Sequence, residues 1–277
     1  MARILLKTDA IVLRTMRMGE TSKLVTLFTE AHGKLKVTAK GARRPKSKFA
    51  GCLEVSWLVH IGCPVRDDRD LHNLTGAETI RARPALLKDL ARLSFAAAAC
   101  EIVDRLSIDH EPNRRLYLCL AGVLVGLEEV EPVQLESLFW YFQLRVAEAL
   151  GYRPELANCA NCGADLPVEA AWFSPGMGGS VCRDCGREAA QEQEDQGAPA
   201  YLRSRKISAD SLRLLTLLQG LRTYSREVIP AAPPERRDEV RALLRSFLEY
   251  HGGTSGRLRS LEFLDSVNYN SGNYNRV

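Results

Sequence analysis

Two cysteine pairs constrain this 277-residue chain more tightly than anything else in it. Cys159-Ala160-Asn161-Cys162-Gly163 and Cys182-Arg183-Asp184-Cys185-Gly186 flank a spacer of nineteen residues. A C-x-x-C turn lets two thiolates face one ion, and the glycine after the second cysteine accommodates the tight backbone. Two such knuckles complete a tetrahedral sulfur site, and the spacer falls in the range usual for zinc. Four protein thiolates leave no open position for water or substrate, so the expected cofactor is one structural Zn2+. The spacer holds Trp172, Phe173 and the run GMGGSV, which suit a small hairpin against the metal. Two other readings use the same residues: a redox dithiol, which wants a βαβ setting this loop-rich segment lacks, and an iron–sulfur cluster.

The remaining cysteines, Cys52, Cys63, Cys100 and Cys119, sit in apolar stretches and read as small buried hydrophobes. A long chain with no secretory leader and half its cysteines in metal-type pairs does not read as a disulfide framework. The apolar fraction of 45% and charged fraction of 26% are those of an ordinary globular protein. No apolar run approaches the roughly 20 residues of a membrane span, so a cytoplasmic protein is expected.

From Lys7 to about Glu78 short β-rich runs are split by turn residues: TDAIVLRTMRMG, SKLVTLFTE, GKLKVTAKG, LEVSWLVHIG and DLHNLTGAET. Five strands at this spacing predict a small closed antiparallel sheet, an oligonucleotide-binding (OB) type barrel, although an SH3-like barrel would give a similar string. At Pro84 the period changes to three and four. Amphipathic helices are expected over 84–107, 113–130 and 132–150, then over 208–224 with Ser208 as N-cap, over 234–250, and in a short last helix over 257–267. The aromatic run Phe139 to Phe142 reads as core packing, and QEQEDQGAPA as a linker or surface turn. The fold class is thus α+β: a five-stranded barrel over residues 1–80, then a helical domain over 81–267 with a four-cysteine zinc segment at 154–190, and a disordered polar tail at 268–277.

Charge is distributed unevenly. Residues 1 to 50 hold twelve Lys or Arg against Asp9, Glu20 and Glu30, a net +9, which leaves −5 for the rest of a chain whose formal net charge is +4. Lys34, Lys36 and Lys40 are separated by two and four residues along one strand and so share a face. They lead into the loop that carries Arg43, Arg44, Lys46 and Lys48. Seven cations at the mouth of a barrel suit a phosphate backbone, and Phe49 or Phe28 could supply an aromatic for base stacking, although Phe28 reads rather as a core residue. The alternative is a solvated basic face, or one that meets acidic proteins. No phosphate-binding loop, nucleophile elbow or zinc-protease motif is present, the five histidines are scattered, and no catalytic residue is assigned. The expectation is a binding protein and not an enzyme; the rival is a zinc or thiol redox protein, or another metalloenzyme, built on the C-x-x-C pairs.

The block DAIVLRTMRMGETSKLVTLFTEAHGKLKVTAKGARRPKSKFAGCLE, with its G-K-L and K-G-A-R-R-P-K-S elements, resembles the RecO family of bacterial DNA repair proteins. The helices after Pro84, the two cysteine pairs and SADSLRLLTLLQGL sit where that family has them. The resemblance implies an N-terminal OB barrel and a helical, often zinc-bearing, C-terminal domain. It implies a recombination mediator that binds single- and double-stranded DNA, anneals complementary strands and, with RecR, promotes RecA loading onto strands coated by single-strand-binding protein. RecF is a further candidate partner. It also implies a location in the bacterial cytoplasm, at the nucleoid. Carried over residue by residue, it assigns only the loop cations and the four cysteines.

Overall fold

The computed structural model describes residues 4–66, 69–166, 169, 171–253 and 258–263. The chain forms two compact units, Met1–Glu128 with Arg257–Val277, and Glu129–Gly256. The expected disordered tail at 268–277 lies outside the described residues.

The first unit is built on one six-stranded sheet: β1 (Ile4–Met18), β2 (Ser22–Thr29), β3 (Gly33–Ala39), β4 (Leu58–Val65), β5 (Leu71–Asn73) and β6 (Gly76–Arg81), in the order β5-β3-β2-β1-β4-β6. β1 is long enough to serve two neighbours: its first half pairs with β4, and its second half, beyond an irregularity between Val12 and Arg14, pairs with β2. The strand expected fifth is present but bent. Its first part, β5, runs parallel to β3, and its second part, β6, runs antiparallel to β4. At the bend the Leu74 amide donates to Thr38 O and the Thr75 amide to Gly62 O. The two ends of the sheet are therefore one continuous stretch, and the sheet closes on itself with the strand pairing of an OB barrel. Five expected strands and six observed ones are the same chain segments.

Alternation fills the barrel. Val25, Leu27, Leu35, Val37, Ala39, Val59 and Ile61 point inward, and Phe49, Cys52 and Leu53 from the loop after β3 plug the interior. The outer face is covered in part by helices. The expected single helix over 84–107 is two, α1 (Pro84–Leu87) and α2 (Leu90–Leu106), because the Asp89 carboxylate accepts from the Arg92 amide at 3.0 Å and caps a fresh start. α2 packs on β1, and Tyr117 of α3 (Arg114–Glu129) meets Phe28 of β2 with ring centroids 6.2 Å apart. Burying a side chain such as Phe28 on this second face contributes about 1.5–3 kcal/mol. Gly33 shows how closely the 108–112 turn is applied to the barrel: its φ is +64°, and a Cβ there would lie 2.2 Å from Glu111 O. A last helical segment spans 259 to 263, where the Arg259 amide donates to Glu101 Oε1 at 3.4 Å.

The second unit centres on α4 (Leu135–Ala149), buried on nearly every side, with Phe139, Trp140, Tyr141 and Phe142 in the core as their spacing predicts. α6 (Ala209–Gly220), capped by Ser208 as expected, and α7 (Arg237–Gly252) pack on it. β7 (Trp172–Ser174) and β8 (Gly179–Val181) form the expected hairpin, joined by β9 (Arg205–Lys206). The segment read as a linker is different. Residues 191 to 195 belong to α5 (Arg183–Asp195), whose Glu, Gln, Arg and Ala residues are strong helix formers but carry no apolar stripe.

Candidate nucleic-acid interface and metal centre

The basic loop leaves β3 at Ala39 and is laid against the β1–β2 hairpin. The Arg43 amide donates to Thr21 O at 2.9 Å and its guanidinium to Glu20 O at 2.8 Å, so Arg43 fastens the loop to the hairpin turn. Lys48 anchors the far end: its ammonium donates to Thr75 O at 2.7 Å and stands 5.2 Å from the centre of the Phe49 ring. Between these anchors, Lys40, Arg44 and Lys46 are exposed, and among the described residues no hydrogen bond or ion pair engages their side-chain cations. Lys46 has a φ of 63°, which keeps the Pro45-Lys46 turn at the tip of the loop. Five cations thus share one surface, and among the described residues none of them forms an ion pair with a carboxylate.

The expected alignment of all seven cations does not hold. Lys34 and Lys36 do share a face of β3, but that face runs beneath the turn after α2. Lys34 is only 8% exposed; its ammonium donates to Asp104 O and Ser107 O, both at 2.7 Å, and lies 3.2 Å from Asp109 Oδ1. Lys36 pairs with Asp109 Oδ2 at 2.5 Å. Burial pushes the Asp109 carboxyl up, but the two ammonium groups outweigh it and hold it below the ordinary carboxylate range. Lys34 is a tie between the barrel and the helices. Neither aromatic is available for stacking: Phe28 is a core residue, as its sequence reading favours, 0% exposed under Tyr117, and Phe49, the other candidate, is 3% exposed inside the barrel. Sequence alternation placed the lysines on one face correctly but could not tell that helices α2 and α3 would cover part of it.

The four cysteines meet. Cys159 and Cys162 lie in the turn before the hairpin, while Cys182 is the N-cap of α5 and Cys185 sits in its first turn. Their sulfurs all lie within 4.8 Å of one another, with Cys162 Sγ 4.0 Å from Cys182 Sγ. A tetrahedron with zinc–sulfur bonds of about 2.3 Å has sulfurs about 3.8 Å apart, so the donor set fits a metal ion and is consistent with zinc. The electrostatics agree. Burial pushes the Cys159 thiol up, but the backbone amides of Cys162, Cys182 and Asn161 outweigh it and bring it to about 6. At Cys185 the Asn161 amide favours the thiolate, yet the crowded Cys182, Cys162 and Cys159 sulfurs move it to about 12. Four thiolates cannot share this space without a cation, and a divalent ion removes the conflict. Gly186 makes the closure possible: a Cβ there would lie 2.5 Å from Trp172 Cβ and Cγ of the hairpin. Elsewhere burial pushes Cys63 up to about 11 and Cys100 to about 12, as suits inert core thiols.

No helix among the described residues is long and apolar enough to cross a membrane. Comparison with known proteins gives consistent results along the chain. Residues 1–83 match the family model described as Recombination protein O N terminal, and residues 87–262 match Recombination protein O C terminal. The chain is 34% identical over 263 residues to the DNA repair protein RecO of Anaeromyxobacter sp. strain K, covering 94% of this chain and 96% of that protein. The same identity and coverage hold for the DNA repair protein RecO of Myxococcus xanthus strain DK1622. The DNA repair protein RecO of Roseiflexus sp. strain RS-1 is 33% identical over 264 residues, 94% of this chain and 85% of that one. With an OB-type barrel, a helical second unit and a four-sulfur knuckle matched over nearly its whole length, the chain belongs to the RecO family of DNA repair and recombination proteins.

Proposed function

We propose that this chain is a recombination mediator that binds single- and double-stranded DNA through the loop after β3, anneals complementary strands and, with RecR, promotes RecA loading onto DNA coated by single-strand-binding protein. The observation that carries the reading is the group Lys40, Arg44 and Lys46, exposed and, among the described residues, without side-chain partners between the anchors at Arg43 and Lys48. Cations left unneutralised on a rigid barrel release counterions from phosphates at little cost in loop ordering. They bind either strand form and either sequence, as an annealing protein requires, because phosphates carry no sequence information. Lys34 and Lys36 support this surface from beneath, by fixing β3 to the turn after α2. The metal, a structural Zn2+ held by Cys159, Cys162, Cys182 and Cys185, braces the second unit. The protein performs no covalent chemistry.

An annealing assay tests the reading. Complementary oligonucleotides, one coated with single-strand-binding protein, pair faster with the wild-type protein present. A variant with Lys40, Arg44 and Lys46 changed to Gln loses that acceleration while its thermal unfolding is unchanged. A folded variant that anneals at the wild-type rate removes this loop from the mechanism.

A further inference from the structure

Beside Lys40 and Arg44, the outer face of β1 to β3 carries an apolar feature that phosphate binding leaves unused. Val25 and Val37 point into the barrel, so Met16, Leu24 and Thr38 lie side by side on the opposite face, Met16 across from Leu24 and Leu24 across from Thr38. Met18 follows on the same face, across from Ser22. The chain has four methionines, and these two, on one strand, are 46% and 42% exposed. Farther along the same face Phe28 and Lys34 are covered, so the exposed part is the end nearest the basic loop.

Both thioethers are held. Arg14 Nη2 donates to Met16 Sδ at 2.8 Å, and Thr38 Oγ1 to Met18 Sδ at 3.6 Å. Met18, Thr21, Ser22, Thr38, Lys40 and Arg44 line an open cleft of about 580 Å³. Met18 gives the cleft an apolar, polarizable side and Lys40 and Arg44 a cationic one, while Met16 lies farther along the same strand face, outside the lining.

We propose that Met16 and Met18 are base-contacting residues, which receive unstacked bases of a single strand whose phosphates lie on Lys40 and Arg44. The proposal rests on the reading of those cations as the phosphate-binding surface. A thioether makes favourable contacts with aromatic rings and adapts to their shape, so it accepts any base and reads no hydrogen-bonding edge. In a duplex the base faces are stacked away, so the same residues add nothing there. The pair would therefore provide the preference for single strands that the phosphate contacts lack, in place of the stacking aromatics that the barrel buries.

Fluorescence anisotropy with three probes of equal length separates the contributions: a thymine oligonucleotide, an abasic strand and a duplex. The double variant Met16→Ala, Met18→Ala is expected to bind the thymine strand about threefold to tenfold more weakly, since contacts of this kind are individually modest. Its salt dependence stays unchanged, and so do its affinities for the abasic strand and the duplex. Met16→Leu with Met18→Leu, which keeps the apolar surface, recovers most of the loss. Unchanged affinity for the thymine strand, or an equal loss on all three probes, overturns the proposal. Arg44→Gln run in parallel keeps the two readings distinguishable: if it leaves the salt slope unaltered, the phosphate surface itself is misplaced, whatever the methionine variant does.

Discussion

Replacing Lys40, Arg44 and Lys46 together by Gln is the most direct quantitative probe of the basic loop. The structure leaves five cations on this surface, three unengaged and two, Arg43 and Lys48, anchored through backbone carbonyls but still charged and exposed. If all five meet phosphates of a single strand, log K against log salt has a slope of about −0.7 per contact, or about −3.5 in all. Raising salt from about 50 to about 200 mM then costs the wild type about a hundredfold in affinity. The triple variant keeps two contacts, a slope of about −1.4, and loses only about sevenfold over the same range. Anisotropy titrations at five or six salt concentrations measure both slopes. Among the described residues none of the three side chains has a hydrogen-bond or ion-pair partner, so the thermal midpoint should not move. A folded triple variant that retains a slope near −3.5 would falsify the assignment, since the phosphates would then lie on other cations.

Other expectations follow from the same structure. Lys34→Met should do the opposite, destabilising the first unit by about 2–4 kcal/mol through the loss of charged hydrogen bonds in a buried site, with the salt slope of the folded protein unchanged; chemical denaturation read beside anisotropy checks this. Metal analysis should find one zinc per chain, and Gly186→Ala, which drives a Cβ into Trp172, should lower zinc retention under chelator challenge and alter Trp fluorescence. Acid should weaken the second unit through Glu239. Burial pushes this carboxyl up, but hydrogen bonds from Ser208 and Ser211 prevail and hold it below its ordinary value, so its contribution is complete above about pH 4.3 and is lost as pH falls through the lower folded value. Glu239→Gln should flatten that part of the stability profile, and an unchanged profile would count against the network.

The parts of the fold that were legible in the sequence are those where one local rule decides. Strand runs broken by glycine turns gave the barrel, Ser208 marked a helix start, and the C-x-x-C spacing brought four sulfurs together across a hairpin. The misreadings share one cause. Alternation shows that Lys34 and Lys36 lie on the same face but not that a helix turn will cover it, and an aromatic beside a basic loop gives no sign that it plugs a barrel, as Phe49 does. α5 is not visible to a periodicity argument because it has helix propensity without an apolar period. The separation of the loop cations into anchors and unengaged charges depends on which carbonyls lie within reach, and that is visible only in three dimensions.

The bend at Leu74 and Thr75 has a consequence for assembly. Since the stretch from β5 to β6 pairs with β3 through its first part and with β4 through its second, the backbone ladder is carried across the bend, and the Leu74 and Thr75 amides there are already engaged. Recruitment by β-augmentation, a common way for extended peptides to dock, is closed at this bend. A protein that docks on this part of the barrel would recognise side chains, and charge-reversal scanning beside the bend is therefore the means by which such a contact would be mapped.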